Sequence, residues 1–237
     1  MSTFNEQQIL VVGGSSGVGF ETARRFDRQG ARVTIASRSR AKLDAALDKL
    51  GSQAASIQLD ITDAAAIESS ALKAQLWDHI VVSAADTPMG NLRDLSLEAA
   101  SLAMNSKFWG AYRVAKLLSV RPGGSLTFVA GYLSQRPSKS SALQSAINAA
   151  LEALGRALAL ELAPIRVNTV SPGLLDTELW EKLDAGRRAD MFDAASKRLP
   201  VGRVGKAGDV ADGIVFLAGN GYATGTTLFL EGGGRLA

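Results

Sequence analysis

Residues 9–26 read ILVVGGSSGVGFETARRF. The apolar run at 9–12 has strand character, glycines interrupt it, and the pattern from 18 onward is helical. Gly13, Gly17 and Gly19 permit a tight turn and a close backbone approach. Free N–H groups at the start of the helix, around Ser15, Ser16 and Val18, then suit a pyrophosphate. Such a turn can also be a plain helix entry capped by Ser15 or Ser16. Its place between the first strand and the first helix favours a dinucleotide site. The end of the second strand refines the expectation. In IASRSRAKL (35–43), Ser37 and Arg38 stand about twenty residues beyond the glycines, where an NAD-binding chain carries an acid for the ribose. A hydroxyl and a guanidinium suit a 2′-phosphate instead, so NADP(H) is favoured over NAD(H).

Working outward, short apolar runs at 9–12, 32–37, 56–59, 79–83, 125–130, 165–170 and 226–231 read as strands. Helical patterns near 18–29, 40–50, 63–75, 96–119, 141–162 and 207–219 separate them. This alternation predicts an α/β fold, a parallel sheet with helices on both faces, within a single domain over 1–237. Residues 174–204 depart from the rhythm. They are charged and helical, and an insertion there is expected to form a lid over the carboxyl edge of a strand.

Composition excludes several function classes. The chain has 237 residues, 46% hydrophobic and 21% charged, with a net charge of +3. The basic residues are dispersed, so no nucleic-acid surface is expected. There is no cysteine and a single histidine, His79. Thiolate chemistry and a histidine-based metal cluster are thereby excluded, and no metal is expected. No apolar run approaches a membrane span, and MSTFNEQQ lacks a signal-peptide core, so a cytoplasmic location without membrane contact is the expectation.

At this point the sequence resembles the short-chain dehydrogenase/reductase family over nearly its whole length. GGSSGVG (13–19) is similar to that family's glycine-rich turn. LDITD (59–63) is similar to its third-strand segment, which places Asp60, with Ile61, near the adenine. Asn105 in MNSKFWG (104–110) matches its fourth-helix asparagine. IRVNTVSPGLLDTEL (165–179) matches its sixth strand, which puts Pro172, Gly173, Leu175 and Thr177 near the nicotinamide. LPVGRVGKAGDVADGIVFLA (199–218) and TGTTLFLEGGG (224–234) match its C-terminal signature. The resemblance implies a Rossmann fold with seven parallel strands in the order 3-2-1-4-5-6-7. It also implies homodimers or homotetramers built through the fourth and fifth helices and the last strand. The implied chemistry is hydride transfer between a nicotinamide and a carbonyl or alcohol, served by a serine, a tyrosine, a lysine and the asparagine.

Three of those four positions differ here. The family's Y-S-A-S-K-A-A-L-E-A-L aligns without gaps to QSAINAALEAL (144–154), so Gln144 stands for the tyrosine and Asn148 for the lysine. Gly131, thirteen residues before Gln144, stands for the serine. A carboxamide neither donates nor takes a proton usefully, and losing a positioned acid–base costs roughly 10²–10⁴-fold. Asn148 retains the capacity to bond a ribose hydroxyl. Val12 replaces the threonine before the first glycine. VSAAD (82–86) replaces an asparagine-rich turn, with Ser83, Ala84 and Ala85 along the expected cofactor edge.

Substitutes are sparse. Tyr132 and Lys139 are candidate displaced acids in the loop GYLSQRPSKSS (131–141), where a polar substrate loop with a serine cap is the plainer reading. Glu178 is a candidate buried acid, although acids at helix starts ordinarily complement the dipole. His79 is placed at the amino edge of the fourth strand, the wrong edge for a ligand. Trp180, Leu183, Met191 and Phe192 are expected to pack the lid or line a pocket. Phe108 and Trp109 are expected in the core or a subunit interface. Two functions remain open: an NADP(H)-dependent oxidoreductase of small carbonyls, alcohols or imines with a degenerate site, and a non-catalytic NADP(H)-binding partner subunit or sensor in a hetero-oligomer with an active homologue. Chemistry without hydride transfer ranks last.

Overall fold

The first six strands are β1 (Gln8–Val12), β2 (Arg32–Ser37), β3 (Ala55–Gln58), β4 (Leu76–Val82), β5 (Ser119–Val129) and β6 (Arg166–Pro172). Between them run α1 (Gly17–Asp27), α2 (Arg40–Leu47), α3 (Ala64–Ser69), α4 (Leu97–Met104), α5 (Gly110–Leu117) and α6 (Ala142–Glu161). The chain ends with β7 (Leu175–Asp176), α7 (Ala185–Arg198), β8 (Gly205–Lys206), α8 (Ala207–Gly219) and β9 (Thr227–Leu230). This is a computed structural model, and it describes residues 4–237.

Each sheet strand is followed by a crossover helix, so its successor runs parallel. Seven strands pair in the order β3-β2-β1-β4-β5-β6-β9. The expected 3-2-1-4-5-6-7 order therefore holds, with β9 as the seventh strand. The short β7 and β8 pair only with each other.

The sheet is covered on both faces, and β1 shows how. Ile9 and Val11 face a layer with Phe26 of α1 and Ile214 of α8. Leu10 and Val12 face the other layer, with Val114 of α5 and Leu151 of α6. All four β1 residues are buried, as alternation across a doubly covered strand requires. Each such side chain contributes about 1.5–3 kcal/mol.

Three expectations are corrected. The single helix over 96–119 is α4 and α5 joined by a wide π-helical turn at Asn105–Trp109. It ends at Leu117, because Ser119 and Val120 already pair with Leu76 and Trp77 of β4. β5 therefore starts well before residue 125. A register shift between Trp77 and His79 accommodates the extra length. The bend needs Gly123 at φ +82° and Gly124, whose Cβ would fall on the Asp78 carbonyl oxygen. Lastly, His79 is an interior residue of β4 and not an edge residue.

Two buried polar groups hold elements together. Arg166 of β6 donates to the carbonyls of Leu217 and Ala218 at 2.6 Å, closing the C-terminal end of α8. His79 bonds Ser125 Oγ at 2.8 Å and Gln7 Oε1 at 3.1 Å, and its ring lies parallel to Phe26. Burial lowers the His79 pKa to about 4, the Arg166 charge adds to that, and Asp78 opposes it.

Because the folded pKa lies below the ordinary 6.5, the unfolded chain binds the extra proton between the two values. The His79 contribution is intact above pH 6.5 and fades towards pH 4, a loss of about 3 kcal/mol. Denaturant unfolding of the wild type is expected to show this acid loss. His79→Asn, which cannot titrate, is expected to flatten it, and an unchanged acid slope in that variant counts against the assignment.

Candidate cofactor and active site

The candidate residues converge on the carboxyl edge of the sheet. Gly13, at φ +85°, sits so close to the β4 loop that a Cβ on it would lie 2.6 Å from the Ala84 nitrogen. A Cβ on Gly19 would fall on the Gly13 carbonyl oxygen. The turn thus closes on itself and on the loop carrying Ser83 and Ala84, with the Ser83 N–H donating to the Val12 carbonyl at 2.8 Å. Ser16 occupies the N-cap position of α1, but its hydroxyl makes no cap bond. By contrast α2, α3, α4 and α7 are capped by Ser39, Asp63, Ser96 and Asp184. The first-turn amides of α1, over Val18 and Gly19, are left for an anion.

Ser15 does not cap either. Its hydroxyl donates to Ser37 Oγ at 2.9 Å. Arg38 is exposed and pairs with Asp86 Oδ2 at 3.1 Å, across the end of β1. Asp86 was not singled out in the sequence, because β2 and the β4 loop meet only in the fold. Arg38 and Asp60 line one cavity of about 540 Å³ with Gln58, Leu59 and Ser69. Asp60 Oδ1 accepts from the N–H and the hydroxyl of Thr62. Ile61 has its side chain in the core against Gly110, so it reaches this edge only through its backbone.

The third group comes from the end of β6. The Gly173 N–H donates to the Leu230 carbonyl at 3.0 Å, and a Cβ there would lie 2.8 Å from the Glu231 Cα. Leu175 lies in β7, and Thr177 opens the 3-10 turn Glu178–Trp180. Glu178 is not buried. Its carboxylate lies over the glycine-rich turn, 3.7 Å from where a Cβ on Gly17 would be. The segment from Leu175 to Phe192 is braced internally. Trp180 Nε1 donates to the Leu175 carbonyl, Arg188 pairs with Asp176, and the Arg188 guanidinium stacks over Phe192. Leu183 is exposed and Met191 half-buried.

The fourth group is a polar stripe inside α6. Gln144, Asn148 and Glu152 are all buried, one turn apart. The Gln144 amide donates to the carbonyls of Pro88 at 2.9 Å and Thr87 at 3.3 Å. Two donors on one atom explain the residue type, since a tyrosine hydroxyl has only one. Glu152 accepts from Ser134 Oγ at 2.6 Å and Ser171 Oγ at 3.1 Å. Asn148 Oδ1 accepts from Lys107 Nζ at 2.7 Å, and Lys107 also donates to the Ala130 carbonyl at 2.8 Å. A Cβ on Gly131 would lie 2.8 Å from Asn148 Nδ2. Burial lowers the Lys107 pKa to about 8, against the attraction of Glu152.

Asn105 opens the π turn, and its Oδ1 is taken by Arg113 at 2.8 Å. Tyr132 is turned towards the C-terminal segment, where a Cβ on Gly234 would lie 3.4 Å from its ring. Lys139 is exposed, and Ala85 is exposed beyond Ala84. Ser141 is the N-cap residue of α6, yet its hydroxyl accepts from the Ser138 N–H and does not cap the helix.

Lys107 is the functional candidate that motif reading missed. The signal was present in the pattern. Ala103, Gly110, Ala111 and Val114 are buried along one helical stripe, and a lysine stands at 107 within it. Within the Gly131–Gln144–Asn148–Lys107 set, Lys107 alone titrates near neutral pH.

Comparison with known proteins agrees with the fold. A family model described as enoyl-(acyl carrier protein) reductase matches residues 12–234. The short-chain dehydrogenase/reductase fsr5 of Gibberella fujikuroi is 30% identical over 97% of this chain and 95% of its own length. Galactitol 2-dehydrogenase (L-tagatose-forming) of Cereibacter sphaeroides is 31% identical over 94% of this chain and 92% of its own. The crystal structure of a small-chain dehydrogenase in complex with NADPH superposes with a TM-score of 0.84 at 33% identity, covering 98% of this chain and 100% of that one.

The contact between Gly131 and Asn148 makes the two positions interdependent. Gly131→Ala is expected to destabilise by about 1–3 kcal/mol through overpacking. In the Gly131→Ala/Asn148→Ala double variant the loss is expected to be smaller than the sum of the single losses. Additivity in a denaturant-based double-mutant cycle speaks against the contact.

Proposed function

Because this chain belongs to the short-chain dehydrogenase/reductase family of oxidoreductases, we propose that it binds NADP(H) across the carboxyl edge of its sheet and transfers hydride between NADPH and a small carbonyl or alcohol, with an imine as the alternative acceptor. The observation that carries the cofactor choice is the end of β2. The Ser37 hydroxyl, bonded to Ser15, stands beside an exposed guanidinium at Arg38. A guanidinium matches a phosphate in charge and shape. Asp86 neutralises Arg38 here, and a 2′-phosphate would take its place. The neighbouring structure that holds NADPH supports the same reading.

The cofactor would supply the hydride. The open amides at the start of α1 suit its pyrophosphate, and Asp60 and Arg38 frame the cavity for its adenosine half. The Pro172–Gly173 segment, Thr177 and Asn148 border the nicotinamide half. The family's serine–tyrosine–lysine chemistry is absent, so the best substrates are those needing little acid catalysis or bringing their own proton donor.

One observation favours a second reading, a non-catalytic NADP(H)-binding partner subunit or sensor. Gln144 is neutral and committed to the Thr87 and Pro88 carbonyls, away from any reacting group. Assembly is proposed through the outer face of α4, α5 and α6. Phe108, Trp109 and Tyr112 pack edge to face there, and Leu102 of α4 and Leu160 of α6 are exposed. A homodimer or homotetramer is the first expectation, and a hetero-oligomer with an active homologue follows from the second reading.

Arg38→Ala is expected to weaken NADPH binding about tenfold to a hundredfold, the scale of a lost charge-assisted bond, while changing NADH binding by less than about threefold. Equal losses for both cofactors in calorimetric titration would remove the basis for NADP(H). Transfer of deuterium from one face of 4-deuterated NADPH to a carbonyl or imine separates the enzyme from the sensor. Trp109→Arg is expected to lower the mass seen by light scattering, and an unchanged oligomer rules out this face.

A further inference from the structure

We propose that Lys107 is the cation of this site, delivered from the π turn between α4 and α5, and that it locks the Asn148 carboxamide so that Nδ2 serves as a hydrogen-bond donor to a substrate oxygen over Gly131. The inference rests on the NADP(H) reading and names the acceptor class for it: a carbonyl, not an iminium.

An ammonium only donates, so its partner on Asn148 must be the carboxamide oxygen. The amide is therefore oriented one way, and Nδ2 is directed elsewhere. That atom lies 2.8 Å from the place a Cβ on Gly131 would take. It thus occupies the space into which a side chain at 131 would extend, and glycine leaves room for it there. In the family resemblance, position 131 is where a serine hydroxyl orients the carbonyl. Here the donor reaches the same volume from α6.

The ammonium does more than orient. A carboxamide whose oxygen is bonded to a cation is polarised, and its N–H becomes a stronger donor. Such a donor is most valuable where negative charge grows on an oxygen, as when hydride adds to a carbonyl. An iminium nitrogen has no lone pair to accept the bond, and a nearby ammonium repels its charge. The same repulsion disfavours the cationic nicotinamide of NADP⁺ relative to NADPH. Lys107 acts through Asn148, so it is a positioning residue.

The charged groups around Lys107 are few. Glu152, one turn beyond Asn148 on α6, attracts it and is itself bonded to Ser134 and Ser171. Arg113, from α5, is tied to Asn105. With burial lowering its pKa to about 8, Lys107 is charged at pH 7 and loses its charge as pH rises through that value.

The test compares NADPH and NADP⁺ dissociation constants from pH 6.5 to 9.5 for the wild type, Lys107→Met and Lys107→Arg. The wild type is expected to prefer NADPH by about fivefold or more at pH 7, a modest Coulombic effect, with the preference collapsing around pH 8. Lys107→Met is expected to lack both the preference and its pH dependence. Lys107→Arg is expected to keep the preference throughout, since arginine does not titrate in this range. A Lys107→Met variant with the wild-type profile overturns the inference. If that variant does not fold, a midpoint near pH 8 that persists in Lys107→Arg overturns it equally. A wild type that binds neither cofactor overturns the NADP(H) reading and the inference with it, whereas binding that ignores Lys107 overturns the inference alone. With NADPH and the probes ethyl acetoacetate, 9,10-phenanthrenequinone and 2-methyl-1-pyrroline, reduction of a carbonyl probe is expected. Reduction of the pyrroline alone, or of none, overturns the oxygen assignment.

Discussion

The site depends on a turn that has no room for a Cβ. Where β1 meets α1, Gly19 lies directly against the Gly13 carbonyl, and Gly13 lies against the backbone of Ala84. These contacts bring the start of α1, the end of β1 and the loop after β4 to one point. Everything else at the carboxyl edge is placed relative to that point: Arg38 and Ser37 on one side, and the segment through Thr177 and Glu178 on the other. The cost of such close backbone packing is offset by the β1 core on both faces, where four consecutive apolar side chains are buried.

A second constraint lies one strand further along, in the polar interior of α6. Buried polar groups are tolerated when each finds a partner. Gln144, Asn148 and Glu152 all do, and their partners lie on four different segments: the loop at 87–88, the π turn at 105–109, the turn at 134 and the end of β6 at 171. The stripe therefore ties the carboxyl-edge loops to the helix that supports them. The two amides are a fitted set with Gly131 and Lys107. Restoring a lysine at 148 would place a second ammonium beside the first, and a side chain at 131 would meet the amide nitrogen. Positions 107, 131 and 148 are coupled by direct contact.

Much of this was legible in one dimension. The strand runs alternate with helical runs, and doubly buried strands are apolar throughout, so the parallel sense of the sheet follows from local pattern, while the strand order follows from the family resemblance. The glycine-rich turn and the residues at the end of β2 were legible for the same reason, because each lies within a few residues of its own strand. The misreadings share a cause too. The stretch 96–119 reads as one helix because a π turn barely alters apolar spacing. The start of β5 is hidden because Gly123 and Gly124 look like a loop until β4 is beside them.

What the sequence by itself determined is the fold, the glycine-rich turn between the first strand and the first helix, and the presence of two neutral amides at 144 and 148. Those features are written in residue types and short spacings. Only the tertiary structure decided that Ser15 bonds Ser37 and leaves α1 uncapped, that Arg38 meets Asp86, and that Lys107 meets Asn148 from 41 residues away. The physical reason is that hydrogen bonds and charge pairs are made between surfaces, and which surfaces meet is settled by packing. A lysine in an apolar stripe announces that something must solvate its ammonium. The fold alone shows that the Asn148 amide and the Ala130 carbonyl do so.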